Sequence, residues 1–203
     1  TSYVYAERAL AKHPYIKPHH TFHDLLVIKC DLETSDLVDR GIWKSSEEDR
    51  KRLSDMVADY CYKYVLEILK VSRPVIARLA EMYPLVLVSN FYGNIETILA
   101  DFDLQYFKHI VESAVVGIRK PDPRIFQLGV DALRKVTGKS DKELPASNIL
   151  VVGDSFSKDI VPANEIGCKT VWIKGVGWGN EETDDSIPTF IIKNIAELEN
   201  ILG

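Results

Sequence analysis

The chain has little cysteine, no excess of positive charge and no long apolar run, and each shortage removes a class of protein. Its 203 residues contain three cysteines, Cys30, Cys61 and Cys168. An odd number spread this far apart does not build a disulfide framework and fits reduced thiols in the cytoplasm. Lysine and arginine total 25 against 30 acidic residues, a formal charge of −5, so neither nucleic acid nor an anionic membrane is expected as a partner. No stretch approaches the roughly 20 apolar residues that span a bilayer, and the first residues lack the apolar core of a signal peptide. Repeats and low-complexity linkers are also missing, whereas 46% hydrophobic and 27% charged residues are what an ordinary globular chain carries. The expectation is a soluble, cytoplasmic protein of one domain, or of one domain with a small insertion, whose oligomeric state the composition does not set.

What is present divides in two. Residues 1–70 read as helices: "TSYVYAERALAKH" can start from a Thr or Ser cap, and "SSEEDRKRLSDMVADYCYKYVLEILK" begins with cap residues and an acidic first turn. Leu53, Met56, Val57, Tyr60, Tyr64 and Ile68 recur there at helical spacing, which predicts a stripe facing a core. From residue 71 helix and strand alternate: "RPVIARLAEMY" then "PLVLVSN", "NIETILADFDL" then "IVESAVVG", "RIFQLGVDALRKV" then "NILVVGD", "IVPANEIG" then "TVWIKG". Apolar strand signals separated by helices predict βαβ crossovers, hence an α/β fold with a parallel sheet and helices on both faces.

Three strand signals end in residues suited to an anion or a metal, at the carboxyl edge where such sheets bind ligands. "LVLVSN" closes on the hydroxyl of Ser89 and the amide of Asn90, with Gly93 just beyond for a tight turn. Lys120 precedes Pro121-Asp122-Pro123, whose two rings fix the backbone and aim the cation. "NILVVGD" ends at Asp154, and Asp159 follows five residues later. Two acids there make a magnesium half-site, one carboxylate on the metal and one bracing the loop; they equally suit the first turn of a helix, where Asp154, Ser155 and Ser157 are all good caps. Two further stretches carry weaker signals. "GVGWGN", with Gly175, Gly177 and Gly179, suggests a nucleotide loop but follows the last strand signal with no helix after it. His13, His19, His20 and His23, with Lys12 and Lys17, could meet an anion or a metal, although their spacing matches no familiar metal site.

"VLVSN", "RKPDPRIF" and "GDSFSKD" together resemble the motifs of the haloacid dehalogenase superfamily. Its phosphatases place Ser or Thr after the second core strand, Lys before a following helix, and an acidic GDxxxxD-type motif. The resemblance implies a Rossmann-like core over residues 71–203 and a helical cap over residues 1–70, inserted after the first core strand. It implies that Ser89 binds the transferring phosphoryl group, that Lys120 compensates charge, that Asp154 ligates Mg²⁺ and that Asp159 supports that site. The implied activity is magnesium-dependent hydrolysis of a small phosphorylated substrate through an aspartyl-phosphate. Related readings are a carbon–halogen hydrolase, which would not need the two acids, and a non-catalytic binding protein.

The family's first motif, an aspartate nucleophile with a second aspartate two residues later, has one candidate here. In "LLVIKCDLETSD", Asp31 follows an apolar run and Glu33 lies two residues on, but Phe22, Leu25, Leu26 and Lys29 fit a helix face equally well. In the family this strand lies between those corresponding to "PLVLVSN" and "NILVVGD". Without it two interior strands would leave backbone groups unpaired, each costing about 1–3 kcal/mol when buried. The expectation is therefore an upstream strand in the natural protein, with no turnover from the present chain alone.

Overall fold

In the computed structural model, which describes residues 1–175 and 182–202, hydroxyl caps start the N-terminal helices. Most of "GVGWGN" thus lies outside the described residues. Thr1 accepts the Val4 N–H ahead of α1 (Ser2–Lys12). Thr21 and Asp24 form a reciprocal capping box ahead of α2 (Phe22–Asp39), with the Asp24 N–H on Thr21 Oγ1 at 3.2 Å and the Thr21 N–H on Asp24 Oδ2 at 2.8 Å. Ser46 accepts the Asp49 N–H at 3.1 Å ahead of α3 (Glu47–Met82), whose first turn holds Glu47, Glu48 and Asp49. α3 is a single helix of 36 residues that continues through Pro74. Among the described residues no helix is long and apolar enough to cross a membrane.

The chain forms two compact units, one of Thr1–Val71 with Tyr92–Gln105, the other of Ser72–Phe91 with Tyr106–Gly203. In the first, Ala6 and Leu10 of α1 are buried, as are Leu25 and Cys30 of α2, and the two helices pack together. A short helix, α4 (Ile95–Asp101), buries Ile95, Ile98 and Leu99. The stripe expected to face a core does not: Leu53, Met56, Val57, Tyr60, Tyr64 and Ile68 are all exposed, Tyr60 to 74%. The buried face of α3 is built instead from Ser54, Ala58 and Leu69, roughly 120° round the helix at 3.6 residues per turn. Small side chains let α2 approach there. Ser54 Oγ lies 2.7 Å from Thr34 Oγ1 and donates to the Arg50 carbonyl at 3.0 Å. The "LLVIKCDLETSD" stretch is interior to α2, with Asp31 paired to Arg50 at 2.5 Å. It is helix, not a nucleophile strand.

The second unit is α/β, as expected. Strand β1 (Val86–Ser89) pairs in parallel with β2 (His109–Glu112), Ser89 standing opposite Glu112. A separate parallel sheet has the order β3 (Leu150–Gly153), β4 (Lys169–Ile173), β5 (Phe190–Ile192). β5 carries no signal beyond the three residues "FII" and was not anticipated. The segment "IVESAVVG" is strand only to Glu112; Ser113–Val116 turn into the one-turn helix α5, because Ser113 leaves the ladder and binds Phe91. Helix α6 (Arg124–Thr137) buries Ile125, Phe126 and Val130 with Val111 and Ile149 on one side of the sheets. On the other side Val75 and Leu79 of α3 pack with Val171, Ile192 and Leu198 of α8 (Leu198–Leu202). Alternate residues serve the two cores: Val151 packs in the first and Leu150 in the second, as the two-residue period of a strand requires. The helix α7 (Val161–Glu165) joins β3 to β4.

Candidate active site

β1 and β3 are apolar strands that remain half open. Val86–Ser89 are all only half-buried and Val152 is 38% exposed, whereas Thr170, Val171 and Trp172 of β4 are buried. The reason is topological: among the described residues β1 bonds only to β2, and β3 only to β4 on that side of the sheet. A cleft of about 580 Å³ runs between the two open edges, lined by Val86, Val88, Leu150 and Val152, and it ends at Ser89, Lys120, Asp154 and Asp159.

The residues singled out in the sequence meet at that end. Lys120 Nζ donates to Asp159 Oδ1 at 2.6 Å and lies 3.4 Å from the Val88 carbonyl. The side chains of Lys120 and Asp159 are 17% and 6% exposed, so this is a largely desolvated ion pair. The second carboxylate oxygen of Asp159 accepts the Ser155 N–H at 3.1 Å. Asp159 thereby ties the cation from the "KPDP" loop to the loop leaving β3. Gly153 makes this approach possible, since a Cβ placed there would lie 2.3 Å from the Cβ of Asp159. The cap role weighed for Asp154 falls to Ser155, whose Oγ accepts the Lys158 N–H at 3.3 Å. The Asp154 carboxylate stands exposed at the strand end, while its carbonyl accepts the Trp172 indole N–H at 3.0 Å.

Asn90 is engaged differently from a simple anion donor. Its Nδ2 donates to the Lys120 carbonyl at 3.0 Å and its Oδ1 accepts the Lys120 N–H at 2.8 Å. Both ends of the amide are engaged by the backbone of one residue, which fixes where the lysine side chain departs. The next residue is held by a group absent from the sequence reading: Ser113 Oγ accepts the Phe91 N–H at 3.1 Å and donates to the Phe91 carbonyl at 3.2 Å, with Ser113 2% exposed. Gly93 has φ +94°, the left-handed turn expected of it.

The donors fit Mg²⁺ in kind, being hard carboxylate oxygens beside a site where substrate and water would complete the shell. Asp159 has both oxygens occupied, which leaves Asp154 as the carboxylate facing outward. Among the described residues no group of three or more His, Cys, Asp or Glu side chains could hold a metal by itself. The histidines are dispersed. His23 pairs with Asp59 at 2.7 Å, His20 accepts the Lys17 N–H at 3.2 Å and stacks edge-on with His19, and His13 packs on Tyr15.

The sequence profile described as "Hydrolase: haloacid dehalogenase-like hydrolase" matches residues 35–167. A glyceraldehyde 3-phosphate phosphatase from Methanopyrus kandleri is 32% identical over 99 residues, 48% of this chain and 39% of that protein. The pyrimidine 5'-nucleotidase YjjG of Escherichia coli is 30% identical over 97 residues, again 48% of this chain and 39% of its own length. The chain thus spans well under half of these curated relatives. The crystal structure of a phosphatase of the same fold from Thermococcus onnurineus superposes with a TM-score of 0.55 at 22% identity, covering 89% of this chain and 92% of that one.

Proposed function

The chain belongs to the haloacid dehalogenase-like hydrolase family, and from that premise we propose that the whole protein is a magnesium-dependent phosphatase acting on a small phosphoester through an aspartyl-phosphate intermediate. The observation that carries this reading is the convergence of Ser89, Lys120, Asp154 and Asp159 at one end of the cleft between β1 and β3. Two facing strand edges with apolar walls suit one added parallel strand, and in this family that strand carries the nucleophile and its acid partner. Each residue then has a task. The Ser89 hydroxyl donates to a phosphoryl oxygen, and the Lys120 ammonium offsets charge developing on the transferring group. Asn90 serves the phosphate indirectly, by holding the Lys120 peptide. Asp159 fixes the lysine head, and Asp154 supplies the carboxylate for Mg²⁺, which when bound neutralises phosphate charge. Residues 1–70 act as the family's cap and select the substrate.

The names of the relatives, a sugar-phosphate phosphatase and a nucleotidase, support a phosphoester rather than an organohalide. The test is a screen of the full-length protein against sugar phosphates, nucleotides and small phosphoesters, with and without Mg²⁺. Magnesium-dependent phosphate release that is lost in Lys120→Ala is expected. Halide release from 2-haloacids without magnesium, or no turnover of any phosphoester, would replace the reading.

A further inference from the structure

The exposed apolar stripe of α3 over residues 53–71 lies within the first unit, and no described residue covers it. Leu53, Met56, Val57, Tyr60, Tyr64 and Val71 are all exposed. At 100° per residue they fall within about 60° of one line along the helix, over five turns or about 27 Å. Contiguous apolar surface of this kind marks an interface more often than solvent-facing helix, and tyrosine and methionine are enriched in interface cores.

The charges beside the stripe say what fits it. Asp49, Arg52, Asp59, Lys63, Glu67 and Lys70 follow one flank, alternating in sign. Several are held locally, Arg52 on Asp49 at 3.2 Å, Lys70 on Glu67 at 2.6 Å and Asp59 on His23 at 2.7 Å. Exposed pairs of this sort are weak and easily exchanged. The flank is antisymmetric about the midpoint between Asp59 and Tyr60: turned end for end, Asp49 falls on Lys70 and Arg52 on Glu67, and Asp59 comes within about one turn of Lys63. When two helices pack antiparallel, the same flank of each meets its reversed copy, so Asp49 would face Lys70 and Glu67 would face Arg52, each contact made twice. A parallel pair would set the flank against the opposite one, where Cys61 and Val65 carry no charge and Arg50 is already held by Asp31 of α2.

We propose that a second copy of this chain covers the stripe, α3 packing antiparallel on α3 across a two-fold axis near Tyr60. The contact is isologous, and a self-complementary patch of this kind closes into a dimer.

The test is sedimentation equilibrium of the full-length protein. A dimer is expected, and Tyr60→Glu, at a position 74% exposed, should dissociate it while circular dichroism stays as in the wild type and melting becomes independent of protein concentration. Arg52→Glu and Glu67→Arg should each raise the dissociation constant about ten-fold, and the two together should restore it to within about three-fold, because the reversed pair repeats both contacts. A monomer throughout would mean that some other partner covers the stripe. That result, a dimer indifferent to Tyr60→Glu, or a double variant no tighter than the singles would each overturn the proposal.

Discussion

Replacing Asp159 by Asn in the full-length protein tests whether the Lys120–Asp159 pair joins the two loops at the cleft. The substitution keeps volume and one acceptor for the Ser155 N–H but removes the charge from a carboxylate that is 6% exposed and 2.6 Å from Lys120 Nζ. Two opposite charges at this distance attract by about 6 kcal/mol at an effective dielectric of 20, most of which repays desolvation. Deleting one partner of a buried pair typically costs about 3–5 kcal/mol; the retained hydrogen bond puts Asp159→Asn at the lower end, about 3 kcal/mol. For a chain of this size that corresponds to a melting temperature lower by about 6–12 °C. Urea unfolding of the wild type, Asp159→Asn, Lys120→Met and the double variant measures the coupling directly. A coupling of about 3 kcal/mol is expected, with the double variant scarcely less stable than either single one, since it leaves no unpaired charge. A loss below about 0.5 kcal/mol, the behaviour of a surface pair, or strict additivity, would refute the reasoning.

Three further outcomes follow from the same geometry. Lys120→Ala should abolish most phosphate binding and turnover, whereas Arg119→Ala should cost little, because Arg119 is exposed while Lys120 is clamped by Asn90 and Asp159; reversed effects in a steady-state assay would assign the cation wrongly. Asp154→Asn, isosteric and exposed, should leave melting unchanged, raise the magnesium concentration required for half-maximal activity and cut turnover, and unaltered magnesium activation would remove Asp154 from the metal. Burial pushes the thiols of Cys30 and Cys168 up from 9.0 to about 11. A disulfide reagent at neutral pH should therefore label the half-buried Cys61 first and the other two only on unfolding. Since the folded values lie above the unfolded ones, the stability these thiols contribute is present below about pH 9 and lost as pH rises through 11; labelling of all three at one rate in the folded state would contradict their burial.

The features legible in the sequence are those settled within a few residues. Thr1, Thr21 and Ser46 satisfy helix N–H groups three positions away, and the apolar runs before Ser89 and Asp154 mark β1 and β3 because a strand buried on both faces needs no polar alternation. The order Ser89, Lys120, Asp154 could be read as a ligand site because each residue sits just past an apolar run or beside a pair of prolines. Contacts between distant residues could not be read. Nothing near Asn90 shows that its amide would be spent on a peptide 30 residues away, nor near Asp159 that it would hold a lysine 39 residues back. The α3 stripe has helical periodicity, and periodicity records only that side chains share a face. Whether that face meets a core depends on where α2 packs, and α2 settled on the small residues Ser54 and Ala58. By itself the sequence determined the longer helices, the strands β1, β3 and β4 and most of β2, through local hydrogen bonding and pattern. The tertiary structure alone decided which polar groups pair and which apolar faces stay open, because both follow from packing between segments that the chain keeps far apart.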